Sequence, residues 1–360
     1  MLKHICLLVL TLNLMSAPVF GLETSELRNL DAHHNNSVFS GFSIEASAEP
    51  VPISDMISGW DGPFQPGEYA YGDGRIFFGV EYQGWTLKRE QRWYYYLEFS
   101  EQTSRTFNAL ERGTDVGAGG VDLEAWSFES YGFSLAKVFT PLENLVIEPE
   151  LALYRVGHYQ FGTLKGFTES GTNEDDLKAS AILDYHFDED KILEFDGDQD
   201  KGQGISLNTR IAYQFNPQWS VDVLLLDLWN QQKFDQALFT EGCIEFSNPD
   251  NPVCDAIGVS SGRSGVESFS TSIPVTLDSA VYYQPWDTQV SYFHHGRYRR
   301  FGVEKFWQLG SQRFSIVGYS DKQVGIGWQS LWHSLELSAD ETEAARIRDL
   351  RASLTLRFPW

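Results

Sequence analysis

The last thirteen residues constrain the fold more than any other stretch. Counted back in twos from the end, Trp360, Phe358, Leu356, Leu354, Ala352 and Leu350 alternate with Pro359, Arg357, Thr355, Ser353, Arg351 and Asp349. A period of two is that of a β-strand, so this segment has one apolar face and one polar, charged face. Chain ends ordinarily fray into water. Here the apolar face runs through to the last residue, so that face is expected to meet something other than water. Pro359 has no amide to donate, which places it at the strand's very end.

The same alternation recurs along the chain. Phe42, Ile44 and Ala46 show it first, then Ile76, Phe78, Val80 and Tyr82, followed by a return arm over 85–99. It continues through Tyr131, Phe133 and Leu135, through Leu151 and Leu153, and from Leu177 to Phe187 in steps of two. The cleanest case sets Ile205, Leu207, Thr209, Ile211, Tyr213 and Phe215 against Ser206, Asn208, Arg210, Ala212 and Gln214. Further strands are expected at 219–229, 269–283, 288–297, 313–319 and 323–337. One arm is imperfect, with Arg89 and Gln91 on an otherwise apolar face, which a bulge or a position beyond the apolar band would explain. No stretch reads as a long amphipathic helix; 101–122 reads as a polar loop, and 50–74 as a Pro/Gly-rich connector able to fold over or into a pore. Short turns (83–84, 140–144, 216–218, 284–287, 320–322) mostly alternate with long polar loops, the asymmetry of a transmembrane β-barrel. The expected fold is all-β, an antiparallel up-and-down barrel of about 14 strands, with 12 as the alternative. The uncertain part is 156–204, where 191–195 is a strand or part of a loop.

The terminal strand, with Phe358 and Trp360 at its third-last and last positions, resembles the C-terminal signal strand of Gram-negative outer-membrane β-barrels. It departs from that pattern in Thr355, where a small glycine is common, and in Pro359. The resemblance implies that Phe358 and Trp360 are read by the barrel-assembly machinery and that the chain ends in the periplasm. The 338–346 loop and the cysteine loop then lie outside, and the 320–322 and 284–287 turns inside.

The first 21 residues combine Lys3 with an apolar run from Ile5 to about Leu14, as in a secretory signal peptide. Residues 22–36 form a short polar lead, expected to be periplasmic, and 37–360 the barrel. No later stretch has the eighteen uninterrupted apolar residues of a helical span. Cys6 leaves with the signal, so Cys243 and Cys254, flanking a turn-rich segment in an oxidising compartment, are expected to form a disulfide.

A formal charge of −23 argues against nucleic acid as a partner, since phosphates would be repelled. A mean hydropathy of −0.30 does not argue against a barrel, whose lumen face and loops are polar. The 25 Phe, 16 Tyr and 11 Trp suit interfacial girdles, although a secreted β-sandwich core would use them too.

Candidate residues follow from facing. Arg75, Lys88, Glu90, Arg92, Glu148, Glu150, Asp184, Arg210, Arg351 and Arg357 fall on the polar face and are expected to line the lumen. Their mixed signs suit a salt-bridged interior or a narrow channel rather than a one-sign filter. Arg297, Arg299 and Arg300 are candidates for lipopolysaccharide phosphates at the outer rim. Asp196, Asp198 and Asp200 have the opening spacing of a calcium loop, but position twelve is Leu207, so an acidic rim is the better account. His294 lies three residues from Ser291, an odd offset that puts them on opposite faces and counts against a hydrolase. No cofactor is expected. Two functions remain: a pore for small polar solutes, or a non-conducting barrel whose loops bind lipopolysaccharide.

Overall fold

The computed structural model describes residues 36–172, 176–188, 201–247, 249–250, 253 and 261–360. The first strands are β1 (Ser37–Ala48), β2 (Tyr69–Tyr82), β3 (Trp85–Phe99), β4 (Gly119–Lys137), β5 (Phe139–Leu142) and β6 (Leu145–Ser170). Next come β7 (Lys178–Phe187), β8 (Gly202–Asn216), β9 (Trp219–Phe246), β10 (Ser261–Thr271) and β11 (Thr276–Tyr283). The last are β12 (Thr288–His295), β13 (Tyr298–Leu309), β14 (Gln312–Tyr319), β15 (Val324–Gln329), β16 (His333–Ala339) and β17 (Asp349–Pro359). All neighbours are antiparallel, and β1 pairs with both β2 and β17, so the sheet closes on itself without an edge.

These segments make 14 crossings of the barrel wall. β5 continues β4. β7 and β8 are one crossing interrupted midway, since β7 pairs with the far part of β6 and β8 with its near part. β10 and β11 likewise lie end to end along β9. The number agrees with the sequence-based expectation, but the strands behind it differ. The 177–187 and 205–215 alternations belong to one crossing. β13 was not expected, because its polar face of Arg300 and Glu304 is broken by Gly302 and followed by Phe306. The 323–337 stretch is two strands, split at Ser330–Leu331–Trp332. There the Ser330 hydroxyl accepts from the amides of Trp332 and His333 (3.2 Å each), a turn that needs neither glycine nor proline. The two extra crossings move the 320–322 turn to the rim opposite the chain end, whereas 284–287 stays at the terminal rim.

Facing follows the alternation. Ile76, Phe78, Phe133, Leu153, Val303 and Ile326 point away from the barrel and are about half exposed, while Arg75, Lys88, Glu90 and Arg92 point inward and are buried. Exposed Tyr82, Trp85, Trp219, Trp286, Trp307, Trp332 and Trp360 ring the terminal rim. In the aromatic block of β3, Tyr94 and Tyr96 point in, and Trp93 stands on the outer face with Tyr95. From Trp85 to Trp93 the strand runs about 26 Å, or about 20 Å of depth at a 40° tilt, close to the apolar band of a membrane barrel. The turn beneath, Gln83–Gly84, has φ of 49° and 72°, the left-handed pair a two-residue hairpin requires.

The wall is uneven in height. β6 and β9 have 26 and 28 residues, β12 and β14 only 8. Two helices cover the outer face beyond the band. α1 (Ile53–Ser58) lies within the 50–74 connector, and α2 (Glu101–Glu111) replaces the expected polar loop. The Ser100 side chain accepts from the Thr103 amide and caps α2. Trp60 packs on Phe107 (4.7 Å) within a cluster that includes Ala48, Ala70, Tyr95 and Leu97. Ala70, Tyr95 and Leu97 belong to the outer face, so the connector folds over the barrel's outside and stays out of the lumen.

Candidate functional site

The interior is filled by two adjoining layers. In the ionic layer, Asp73 on β2 accepts from Arg75 Nε (2.8 Å) and from Arg92 Nη2 of β3 (2.7 Å). Arg92 Nη1 reaches Asp227 on β9 at 2.9 Å, with both side chains 2% exposed. Lys88 Nζ lies 3.1 Å from Glu90 and 3.2 Å from Glu150, and Asn208 Nδ2 donates to Glu150 at 2.8 Å. Arg75 closes the network on Glu90 at 3.7 Å. Burying such charges is tolerable only because each carboxylate meets a cation or an amide donor.

The aromatic layer lies toward the distal rim. His295 on β12 is fully buried. Its Nε2 is 2.7 Å from the Tyr94 hydroxyl and its Nδ1 2.7 Å from the Thr276 hydroxyl. Its ring lies 4.6 Å from that of Tyr71, and Tyr69 stacks on Tyr298 at 5.5 Å. β2 and β12 have six crossings between them in either direction, so these rings meet from opposite walls. A round barrel of 14 strands measures about 28 Å between opposite backbones, more than two rings can bridge. The barrel is therefore pressed oval at this level.

Irregularities in three strands accompany the flattening. β6 carries an irregularity at His158 (φ 47°) opposite Phe128, and β9 one at Asp227 (φ 57°) opposite Asn208. β10 shifts register between Glu267 and Phe269 and is then interrupted before β11, where Asn230 holds the Ile273 amide and carbonyl. A bulge bends its strand and re-aims side chains, and here it turns Asp227 onto Arg92.

The lumen-facing candidates divide as follows. Arg75, Lys88, Glu90, Arg92 and Glu150 form the ionic layer itself. Glu148 stands opposite Arg210, whose guanidinium bonds Asp222 at 2.9 Å. Arg351 lies 3.3 Å from Glu336 and 3.9 Å from Asp278, and Arg357 lies 3.4 Å from Glu81 toward the terminal rim. Asp184 faces inward but is exposed on the tall wall beyond the aromatic layer, 4.0 Å from His186.

The three arginines proposed for lipopolysaccharide do not form a cluster. Arg300 is inside the lumen, 2.6 Å from Glu45 of β1, because alternation along β13 points it inward. Arg297 sits in the distal turn between Glu98 (2.8 Å) and Glu68 (3.0 Å), and Arg299 alone is exposed on the outer face. His294 shares that outer face and Ser291 does not, as the odd offset requires. Trp360 stacks on Tyr82 at 6.1 Å, and Phe358 lies 6.1 Å from Trp332. Cys243 stands on β9 between Ile182 and Ser261, while Cys254, Asp196, Asp198, Asp200 and residues 1–35 and 191–195 lie outside the described residues. Among the described residues no group of three or more His, Cys, Asp or Glu is placed to hold a metal ion.

Sequence reasoning missed Asp73, Asp227 and His295. Asp73 falls in the 50–74 stretch, which reads as a connector. The signal for Asp227 was present, since it breaks the apolar run 223–229 where a bulge would.

No protein-family model matches the chain, and no curated protein does. Among solved structures, the toluene transporter TbuX of Ralstonia pickettii is 9% identical, over 96% of each chain, with a TM-score of 0.30. The P. putida toluene transporter TodX is 9% identical, over 90% of this chain and 88% of that one, with a TM-score of 0.35. The outer-membrane protease OmpT of Escherichia coli is 6% identical, over 90% and 95%, with a TM-score of 0.21.

Proposed function

We propose that the chain is an outer-membrane β-barrel acting as a gated passive channel for small polar solutes, closed in the conformation described. The observation that carries this reading is the charged interior. A barrel meant only to be solid is filled as well or better by apolar side chains, because buried ion pairs give little net stability. Paired charges that can separate into water supply a polar path once the walls move apart. With the chain end in the periplasm, the aromatic layer faces the cell exterior and the ionic layer lies beneath it. Gating then consists of parting Tyr94 from His295 and Arg92 from Asp227.

Single-channel recording in planar bilayers tests this. The wild-type barrel should show rare, brief openings, and the double variant Arg92→Ala/Asp227→Ala sustained current, since removing both partners strands no charge. Silence from both proteins, each verified as folded, would sink the channel.

A second reading is favoured by the completeness of the seal, with Tyr94, Tyr96, Tyr298 and His295 all 2% exposed or less. It is a permanently closed barrel whose distal loops contact surface lipopolysaccharide. The silent outcome above would select it.

A further inference from the structure

Arg89 is an outward-facing charge that the lumen does not use. A bulge in β3 would have explained its place on the apolar face, but the register of β3 with β2 and β4 is unbroken from Trp85 to Phe99. A position beyond the apolar band would also have explained it. Arg89 instead stands four residues above Trp85 and four below Trp93, midway through the band. Its cross-strand neighbours are Phe78 and Phe133, and its guanidinium carbon lies 5.7 Å from the Phe133 ring centroid. The adjacent Gln91 spends its amide on Glu129 at 2.6 Å, so that carboxylate is engaged higher up. A lipid-facing arginine at mid-depth costs about 2–4 kcal/mol when only acyl chains surround it.

A second basic residue lies below it on the same face. Lys137 is the partner of Trp85 in the β3–β4 ladder, with Nζ 4.9 Å from the Trp85 ring and donating to the Gln83 carbonyl at 3.0 Å. An ammonium has three protons, so two remain for another acceptor. Lys137 and Arg89 are four ladder positions apart, about 13 Å along the strands. Long cationic side chains on a membrane face extend toward headgroups, and a headgroup can be drawn in to meet them.

We propose that Arg89 and Lys137 hold the phosphate of a phospholipid in the leaflet at the terminal rim, the lipid being pulled inward along β3 and β4. Guanidinium matches phosphate bidentately, and the lysine at the rim adds the entry charge. A second copy of the chain is a poorer occupant. Two barrels inserted the same way meet at equal depth, and among the described residues the outer face carries no carboxylate at the depth of Arg89.

Native mass spectrometry of the folded barrel from maltoside micelles, titrated with phosphatidylglycerol, tests the site. The wild type should retain one lipid that Arg89→Leu binds about tenfold more weakly, the worth of one charge-assisted hydrogen bond, with Lys137→Gln intermediate. Arg89→Leu places an apolar side chain on a lipid-facing surface, so it should still fold, and a heat-modifiable gel shift verifies that. A galactosyl diacylglycerol, which lacks phosphate, should bind the wild type and Arg89→Leu alike. Equal phosphatidylglycerol affinity in the wild type and Arg89→Leu overturns the proposal. So does a wild-type dimer that Arg89→Leu abolishes, which would make the occupant protein.

Discussion

Asp227 shows how much one residue decides. It turns inward only because β9 bulges there, and it then supplies the carboxylate that ties Arg92 to the opposite side of the ionic layer. Without Asp227, Arg92 keeps Asp73 as its one remaining carboxylate. Asp227→Asn should therefore lose about 1.5–3 kcal/mol, the worth of one hydrogen bond between charged groups, in urea-induced unfolding from bilayers. Glu81→Gln should lose less than about 1 kcal/mol, because the Arg357–Glu81 pair is about a quarter exposed and screened. Equal losses would mean that the ionic layer is no more sheltered than the rim. At this scale the inward charges on regular strands were legible, since alternation alone assigns Arg75, Lys88, Glu90 and Arg92. Residues on bulges or beyond an apparent loop were not. Arg300 is hidden among them because the tight turn at Gly296–Arg297 restarts the alternation inside a run that reads as a basic loop.

Among elements, the misread ones share a cause. β15 and β16 are short, and the turn between them is built from Ser330, Leu331 and Trp332, whose two apolar side chains fit the interfacial girdle and so hide the turn inside an apolar run. α2 was hidden the other way, as an 11-residue helix polar enough to pass for loop, with its cap formed by Ser100. The extra crossings lead to a labelling prediction. Cysteines placed at Ser320 and Glu341 should both react with a membrane-impermeant maleimide on intact cells, and one at Ser311 should not. Protection of Ser320→Cys together with labelling of Ser311→Cys would invert the order of strands near the chain end. The terminal strand makes a separate prediction. Phe358 and Trp360 each touch one ring of the rim. Deleting residues 358–360 should sharply reduce assembled barrel in cells, while refolding into detergent proceeds at nearly the wild-type yield.

For the whole molecule, closure, antiparallel order and the two faces were legible in the sequence, because period-two alternation specifies them wherever a strand is regular. The oval section was not. It goes with several irregularities on β6, β9 and β10, and each of them looks in sequence like noise in the alternation. A barrel tied across its lumen at the ionic and aromatic layers should resist heat as one unit, giving a single loss of the fast-migrating gel band. Two separate transitions would show that the tall wall of β6 and β9 melts independently of the membrane band.

The pairing of β1 with β17 has a consequence in time. Ser37 meets Pro359, so β1, which ends at Ala48, is paired by a strand that begins only at Asp349. At about 5–20 residues per second, synthesis of what lies between takes roughly 20–60 s. Throughout that interval β1 has no permanent neighbour on one side, and its unpaired edge can template the wrong partner. Closure of the sheet therefore waits for β17, whichever of the other strands have paired before it.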